Sequence, residues 1–527
     1  MVLPRTAFSF DLCMLPFLKT TAGGFYMLEG SQVLIVDFGS QLTQVIQRAI
    51  RELGVRSTIH KPDGVEHWLS ESKPQCIIFS GGPASVYDAG ALKPPGIVYE
   101  MGVPILGICY GMQVLAEHFG GRVESAGGNR DYGRAHVTFF REMVGGNDRS
   151  YEGETVFASH GDSVCELPVG FKKAAVFPHG GLAAMVDPVR RIWGVQYHPE
   201  AMHTVYGKQF LMRFLFETAK CKQDISQDEI YIYTQDHVKS LVEGRNVLVG
   251  YSGGVDSSVA VALVKQSAKS IVGVCIDTGG LREGELEEIK RNADSIGLSL
   301  KIVDTADVFL DALSGLEDAE EKRLAFANMY KQLFLREEQQ RGADCVVKGS
   351  IGPDFIETKE AGALIKTHHN IDSYYIHPLR GLFKHEVREI GRRLGLPSKI
   401  TERQPFPGPG LFIRILGPIT RERMQLVRWA DARVREVLRK NQLWDKISQT
   451  VVALFVVPTV GVKGDNRVYT NSIIVRAVST PDFMTAEPYP VPLEVWREAE
   501  SALTRHPDIV RMFIDVTSKP PATIEFQ

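Results

Sequence analysis

Short apolar runs followed by amphipathic segments recur through the first part of the chain. The apolar runs occupy residues 32–37, 76–79 and 103–108, and residues 41–53 and 113–119 carry apolar side chains at helical spacing. Strands buried on both faces are apolar throughout, whereas helices that cover a sheet are apolar on one face. The alternation predicts an open α/β sheet with its site at the carboxyl ends of the strands.

The same pattern returns after a polar, charged stretch at residues 220–229, which we interpret as a linker. A short helix is predicted at 235–243, and longer helices at 285–296 and 320–339. The apolar runs that predict strands in this part are 246–250, 270–277, 300–304 and 343–348. The pattern therefore predicts a second doubly wound, mostly parallel sheet.

The last ~120 residues have a different pattern, typical of α+β structure. Residues 421–440 form a basic amphipathic helix, and residues 493–503 a second helix. The β-rich runs are 451–458, 472–478 and 510–516, the first two joined by a turn-rich connection at 461–471. The fold class predicted is α/β, with two doubly wound, mostly parallel-sheet domains and a smaller α+β domain. The predicted boundaries are 1–30, 31–222, 223–402 and 403–527.

Composition limits the functional classes. A chain of 527 residues with a net charge of −3 has no sign of a general nucleic-acid binder. It has no apolar run of the ~18 residues that a membrane span needs. The seven cysteines are scattered without a CxxC pair. This predicts reduced thiols and a cytoplasmic location, without a disulfide frame or a zinc site.

The first thirty residues lack a clear structural signal. The apolar segment 7–18 is broken by Asp11 and Pro16, whereas a signal peptide has an unbroken apolar centre. We expect a disordered extension, or a start placed too early before Met27, and we expect it to be dispensable.

The turn after the run 246–250 predicts a phosphate site. A strand, a glycine-rich turn and a helix together aim N–H groups and a helix N-terminus at phosphate oxygens. The lysine of an ordinary P-loop is absent, and the carboxylate of Asp256 would repel phosphate unless Mg²⁺ bridged them, so Mg²⁺ is the implied metal. The sequence SGGVDSS in this turn resembles the pyrophosphate loop of ATP pyrophosphatases. Its residues are Ser252, Gly253, Gly254, Val255, Asp256, Ser257 and Ser258.

A second candidate site follows the run 103–108. The sequence GICYG has the form of a nucleophile elbow, in which a sharp strand-to-helix turn exposes the side chain of Cys109. A helix N-terminus there favours thiolate. The N–H groups of Tyr110 and Gly82 are candidates for an oxyanion hole. A buried structural cysteine is the alternative for this motif alone.

The sequence WGVQYHPE supplies a base, His198, and a carboxylate, Glu200, that would fix its tautomer. Cysteine elbow, glycine loop and HPE, in this order, resemble the class I glutamine amidotransferases. That resemblance implies that Asp162 accepts the α-ammonium group of glutamine and that Gln113 also contacts glutamine.

The order of the two modules, with the stretches 349–358, 365–370, 382–387, 405–411 and 519–526, resembles the GMP synthase family. The resemblance implies amination of XMP through an adenyl-XMP intermediate, with ATP cleaved to AMP and pyrophosphate. It implies glutamine as the nitrogen source, Mg²⁺ without an organic cofactor, and a homodimer formed through the C-terminal domain.

The resemblance also implies further site residues. Lys384 would neutralise phosphate, Arg323 and Lys519 would meet the phosphate of XMP, and Glu525 would accept from the nucleotide. A lid over the site would consist of Lys366, His368, His369 and Asn370. By charge alone, the three XMP residues would be ordinary surface residues.

Two alternatives stay open. One keeps the modules but changes the substrate, since the SGGVDSS string also occurs in tRNA-thiolating enzymes and NAD synthetases. Thiolation needs a second, persulfide-carrying cysteine and a basic RNA face, and glutamine-dependent NAD synthetases use a different amidase. The other alternative is a regulatory protein that kept the fold and lost turnover. Formation of glutamate and AMP would distinguish an enzyme from it.

Overall fold

A computed structural model describes residues 18–20, 26–28, 30–125, 131–140, 153–351, 375–480, 483, 485–519 and 521–527. The chain divides into two compact units, residues 1–225 and 226–527. Within the described ranges, no helix combines the length and apolar composition that would let it cross a membrane.

In the first unit, the described strands assemble mainly into one nine-stranded sheet in the order β4-β3-β5-β6-β13-β12-β11-β8-β9. The strands are β1 (Leu18–Thr20), β2 (Tyr26–Leu28), β3 (Val33–Val36), β4 (Ser57–His60), β5 (Cys76–Phe79), β6 (Ile105–Ile108), β7 (Arg122–Ser125), β8 (Asp131–Phe139), β9 (Glu154–His160), β10 (Asp162–Glu166), β11 (Lys172–Val176), β12 (Leu182–Asp187) and β13 (Ile192–Val195). Strands β7 and β10 form an antiparallel pair of their own, as do β1 and β2.

This sheet is mixed. Strands β4, β3, β5, β6 and β13 pair in parallel, whereas every pair from β13 to β9 is antiparallel. Strands β8, β9 and β11 were not predicted, because they are partly exposed and lack the continuous apolar runs of β3, β5 and β6. The buried run of β12 was missed although it is largely apolar. The helices are α1 (Thr43–Glu52), α2 (Pro62–Glu71), α3 (Ile97–Glu100), α4 (Tyr110–His118) and α5 (Gly207–Met212), which continues as a π-helical turn (Arg213–Thr218).

The second unit begins with a fully parallel four-stranded sheet in the order β16-β15-β14-β17. Its strands are β14 (Asn246–Gly250), β15 (Ser270–Asp277), β16 (Ser299–Asp304) and β17 (Cys345–Val347). The helices are α6 (Gln227–Val242), α7 (Val255–Val264), α8 (Glu285–Ser295), α9 (Ala306–Leu313), α10 (Ala319–Arg341), α11 (Lys384–Arg393) and α12 (Ser398–Thr401). Helix α6 begins eight residues before the predicted start at 235, because Ser226 and Glu229 form a capping box.

The rest of this unit is a five-stranded sheet with two long helices. The elements are a 3₁₀ turn (Gly410–Arg414), β18 (Ile415–Leu416), α13 (Arg421–Lys440), a 3₁₀ turn (Trp444–Lys446), β19 (Gln449–Lys463), β20 (Asn466–Ser479), β21 (Glu487–Pro488), α14 (Leu493–Thr504) and β22 (Ile509–Ile514). The expected turn-rich connection at 461–471 is wrong, because β19 and β20 continue as a ladder up to the pair Lys463–Asn466.

One hydrophobic core joins the two sheets of the second unit. Leu248 and Val274 of the parallel sheet belong to the same buried cluster as Leu411, Val427 and Ile473. Burial of this apolar surface holds the C-terminal sheet against the parallel sheet. The predicted boundary at 402 therefore crosses a continuous core.

Candidate active sites

Cys109 lies at the sharp turn between β6 and α4. Its backbone has φ of 54° and ψ of −107°, a conformation that is strained for a residue with a side chain. A Cβ atom on Gly107 would lie 2.5 Å from the carbonyl oxygen of Gly111, so strand and helix meet too closely for larger residues. The turn is the nucleophile elbow that the sequence predicted, and it presents the thiol at a helix N-terminus.

His198 and Glu200 form a buried pair next to this thiol. Nδ1 of His198 lies 2.7 Å from Oε1 of Glu200, and both side chains are almost fully buried. Burial alone would lower the pKa of His198, but the Glu200 carboxylate and hydrogen bonds to Glu200 and Cys109 outweigh it and raise that pKa well above 6.5. The structure thus brings the three predicted triad residues together.

The loop after β5 packs against His198 and Tyr110. A Cβ atom on Gly81 would lie 3.2 Å from Cε1 of His198, and one on Gly82 would lie 3.2 Å from Cδ1 of Tyr110. Tyr110 is the first residue of α4, so its N–H has no carbonyl partner within the helix. The loop that carries Gly82 therefore packs against His198 and against Tyr110, the residue that follows Cys109.

Asp162 and Gln113 lie on one side of the elbow. The Asp162 carboxylate accepts hydrogen bonds from the hydroxyls of Ser85 and Tyr87, the latter at 2.9 Å. Nε2 of Gln113 donates to the backbone carbonyl of Asp162 at 3.1 Å. The two residues predicted to contact glutamine are thus linked to each other.

Three residues of this site were missed in the sequence. Ser85 and Tyr87 hold Asp162, and Gln196 donates to Sγ of Cys109 at 3.8 Å. Alternation along the chain places Gln196 on the same face as His198, so strand periodicity was a signal for it. Nothing in the local sequence connects Ser85 or Tyr87 with a residue more than seventy positions away.

The glycine-rich turn connects β14 to α7 as predicted. Gly253 has φ of +70°, and Gly254 is the N-cap of α7. The Ser257 hydroxyl donates to the carbonyl oxygen of Gly254 at 3.1 Å, and it lies 3.3 Å from the hydroxyl of Ser252. Ser258 is fully buried, with its hydroxyl 3.2 Å from that of Tyr251.

Asp256 and Lys384 lie together at the start of α7. Nζ of Lys384 donates to Oδ2 of Asp256 at 2.7 Å, and the two side chains are 16% and 28% exposed. Both residues lie at the N-terminus of a helix. Asp256 is the second residue of α7, and Lys384 is the first residue of α11. A carboxylate and an ammonium group thus meet next to the predicted phosphate site.

The predicted XMP residues already have protein partners. Glu525 accepts from Arg414 at 2.9 Å and from Gln449 at 2.8 Å. Lys519 donates from Nζ to the carbonyl oxygen of Phe483 at 2.7 Å, and Arg323 lies half-buried on α10. The lid residues Lys366, His368, His369 and Asn370 lie outside the described residues.

Family models match three parts of the chain. A class-I glutamine amidotransferase model matches residues 34–218, a tRNA methyl transferase HUP domain model matches 245–314, and a GMP synthase C-terminal domain model matches 436–526. The first model spans the elbow and the triad, and the second spans the glycine-rich turn.

Relatives are similar over nearly the whole length. GMP synthase [glutamine-hydrolyzing] from Aquifex aeolicus is 39% identical, with 94% of this chain and 99% of that protein covered. The protein of the same name from Thermus thermophilus is 41% identical, with 94% and 100% covered.

The fold and the two sites define a glutamine amidotransferase joined to a nucleotide-binding HUP-type unit. Similarity at about 40% identity extends across both units and the C-terminal sheet. The chain belongs to the GMP synthase [glutamine-hydrolyzing] family.

Proposed function

We propose that this chain makes GMP from XMP, taking nitrogen from glutamine and cleaving ATP to AMP and pyrophosphate. It is a carbon–nitrogen ligase with glutamine as amide donor. The observation that carries this conclusion is the presence, in one chain of this family, of a buried His198–Glu200 pair at a cysteine elbow and of a glycine-rich turn at a helix N-terminus.

In the first unit, the Cys109 thiolate attacks the amide carbon of glutamine. N–H groups of Gly82 and Tyr110 stabilise the oxyanion, and His198 gives its proton to the departing ammonia. Glu200 holds the imidazolium in the orientation that this transfer needs. Water then hydrolyses the glutamyl thioester to glutamate and regenerates the thiol. Asp162 and Gln113 bind the substrate's amino-acid end.

In the second unit, residues 252–258 hold the β- and γ-phosphates while O2 of XMP displaces pyrophosphate from the α-phosphate. Ammonia then attacks C2 of the adenyl-XMP and AMP leaves. The N–H groups of the turn and the N-terminus of α7 stabilise the departing pyrophosphate. Lys384 supplies a mobile positive charge.

The residues at this site fit Mg²⁺. Magnesium is commonly bound by one or two carboxylates together with substrate phosphates and waters. Asp256 supplies one such carboxylate, whereas the described residues hold no cluster of three or more ligand side chains. Bound Mg²⁺ would offset the negative charge of the phosphates, and Asp256 would be its protein ligand.

The union of two chemistries in one chain has a chemical reason. Ammonia is the nucleophile, but in neutral water it is mostly protonated and inert. Release from glutamine at Cys109 and transfer to the second unit avoid that loss.

Family membership supports the remaining assignments. Arg323, Lys519 and Glu525 contact XMP, while Lys366, His368, His369 and Asn370 close over the adenylate and exclude water. The chain forms a homodimer through its C-terminal sheet, and the free cysteines support a cytoplasmic location. The three functional domains are 31–222, 223–402 and 403–527, the first two doubly wound and the third a dimerisation domain.

The SGGVDSS string, which also occurs in tRNA-thiolating enzymes, raises a second candidate, sulfur transfer to tRNA. That chemistry needs a reactive thiol near the glycine-rich turn. The second unit contains Cys275 and Cys345 only. Burial raises the pKa of Cys275 to about 12 and also raises the pKa of Cys345, which disfavours thiolate at both. Amination therefore has the stronger support.

Incubation with XMP, Mg-ATP and glutamine, followed by mass detection of products, tests the proposed function. We expect GMP, AMP, pyrophosphate and glutamate in equal amounts. ADP in place of AMP would overturn the role of the glycine-rich turn. An absence of all products would favour the regulatory alternative.

A further inference from the structure

The carbonyl oxygen of Gly253 is fixed from outside the phosphate-binding turn. Gly253 has φ of +70°, and a Cβ atom at this position would lie 2.7 Å from Cγ1 of Ile289. Helix α8 therefore packs directly against the turn, and only glycine fits the contact. The orientation of the Gly253–Gly254 peptide is set by this packing and by the groups that bind its carbonyl.

Two side chains donate to that carbonyl. Nη1 of Arg403 lies 2.8 Å from the Gly253 oxygen, and Nδ2 of Asn292 lies 3.4 Å from it. Asn292 is almost fully buried on α8, one turn after Ile289. The spacing of three residues places both side chains on one face of the helix.

Arg403 is itself held by the same helix. Its guanidinium group pairs with Glu285 through Nη2, and Nε lies 3.3 Å from Oε1 of Glu288. Glu285 accepts the backbone N–H of Arg282 at 2.9 Å, and the Arg403 side chain is only 11% exposed. Because carboxylates compensate its charge, Arg403 adds little net positive potential to the phosphate site.

We propose that Arg403, assisted by Asn292, is a positioning residue for pyrophosphate departure. A peptide unit is planar, and its C=O and N–H point in opposite directions. Anchoring the Gly253 carbonyl on Arg403 therefore aims the Gly254 N–H away from α8, towards the Ser252 hydroxyl 3.4 Å away and the phosphates beyond it. The inference rests on the proposed function, because it assumes that the turn binds pyrophosphate.

The test uses the full chain with ammonium in place of glutamine, so that the first unit is not required. We expect Arg403→Gln and Arg403→Lys to lower kcat and to raise the inhibition constant of inorganic pyrophosphate, each roughly tenfold to a hundredfold. The KM for XMP should stay within about twofold. Asn292→Ala, which removes the weaker donor, should change the same two quantities in the same direction by a smaller factor.

Glu288→Gln is the matched control, because it removes an ion-pair partner of Arg403 and leaves the Gly253 contact in place. Arg392→Gln is a second control, since it breaks exposed ion pairs to Glu389 and Glu402. Both should resemble the unmodified enzyme.

The inference is overturned if the Arg403 and Asn292 variants match these controls, or if kcat falls while pyrophosphate inhibition is unchanged. If the Arg403 variants do not fold, kcat and the pyrophosphate inhibition constant of Asn292→Ala are compared with those of the controls, and this comparison tests the inference. The proposed function fails separately, if the unmodified enzyme forms no AMP and pyrophosphate.

Discussion

The elbow at Cys109 and the turn at Gly253 share one backbone plan. In each, a residue with positive φ lies between a buried parallel strand and a helix. Cys109, with φ of 54°, lies directly between β6 and α4, and Gly253, with φ of +70°, lies in the longer turn between β14 and α7. At the elbow this residue carries a thiol, and the backbone is strained to present the side chain. At the turn it is glycine, and the backbone itself forms the site.

The charges differ between the two sites as well. His198 and Glu200 are almost fully buried and lie 2.7 Å apart. Asp256 and Lys384 are partly exposed, and a pair of this kind contributes about 0–1 kcal/mol to stability. We expect the first pair to hold one proton in place, and the second to separate when phosphate binds.

The largest expected effect is that of Asp256→Ala. We expect synthesis of GMP to disappear with glutamine and with ammonium, because the proposed Mg²⁺ would lose its protein ligand. AMP formation is the measurement. Hydrolysis of glutamine is assigned to the other unit. If the variant has a normal melting transition and near-normal AMP production, Asp256 has no metal role.

The next effect separates the two sites. Cys109→Ala removes the nucleophile, so glutamine-dependent synthesis should fall by at least about a thousandfold. Ammonium at a pH that leaves free ammonia should restore GMP formation, because the glycine-rich turn is intact. A variant that still uses glutamine would place the nucleophile elsewhere, and failure with ammonia would show that the sites are not separable.

A smaller effect is expected for Lys519→Ala. Loss of one charge-assisted contact to the phosphate of XMP costs on the order of 1.5–3 kcal/mol, or roughly tenfold to a hundredfold in binding. The KM for XMP should rise and that for ATP should not. Equal changes in both constants would contradict this placement of Lys519, whose Nζ donates to the carbonyl oxygen of Phe483.

The smallest effect is a change in pH dependence. Because the pKa of His198 is raised, His198 should stay an imidazolium, the proposed donor to ammonia, through neutral pH. Glutamine hydrolysis should then be lost as pH rises through that pKa. Glu200→Gln removes the attraction that outweighs burial, so this loss should move to lower pH. Glutamate release measured from about pH 6 to about pH 10 tests the shift. The ammonium-dependent reaction serves as control, and a profile unchanged by the substitution would show that Glu200 does not tune His198.

The sequence alone determined the parts whose signals are local. The apolar runs predicted β5, β14 and β15 at their observed bounds. The amphipathic pattern predicted helix α13 at its observed bounds. The motifs around Cys109 and Asp256 are contiguous, so their geometry follows from a strand, a turn and a helix that are neighbours in the chain. His198 and Glu200 were found because a carboxylate two residues from a histidine lies within its reach.

Tertiary structure decided what depends on distant contacts. The antiparallel strands β8, β9 and β11 mix buried and exposed positions, and pairing along the sheet, rather than apolar pattern, determines where they lie. Polar residues at 461–471 suggested a turn, yet cross-strand hydrogen bonds keep most of them extended. Arg403 binds a carbonyl 150 residues away, and such contacts have no local signal. They form when packing brings α8 and the glycine-rich turn together, because a buried carbonyl must then find a donor.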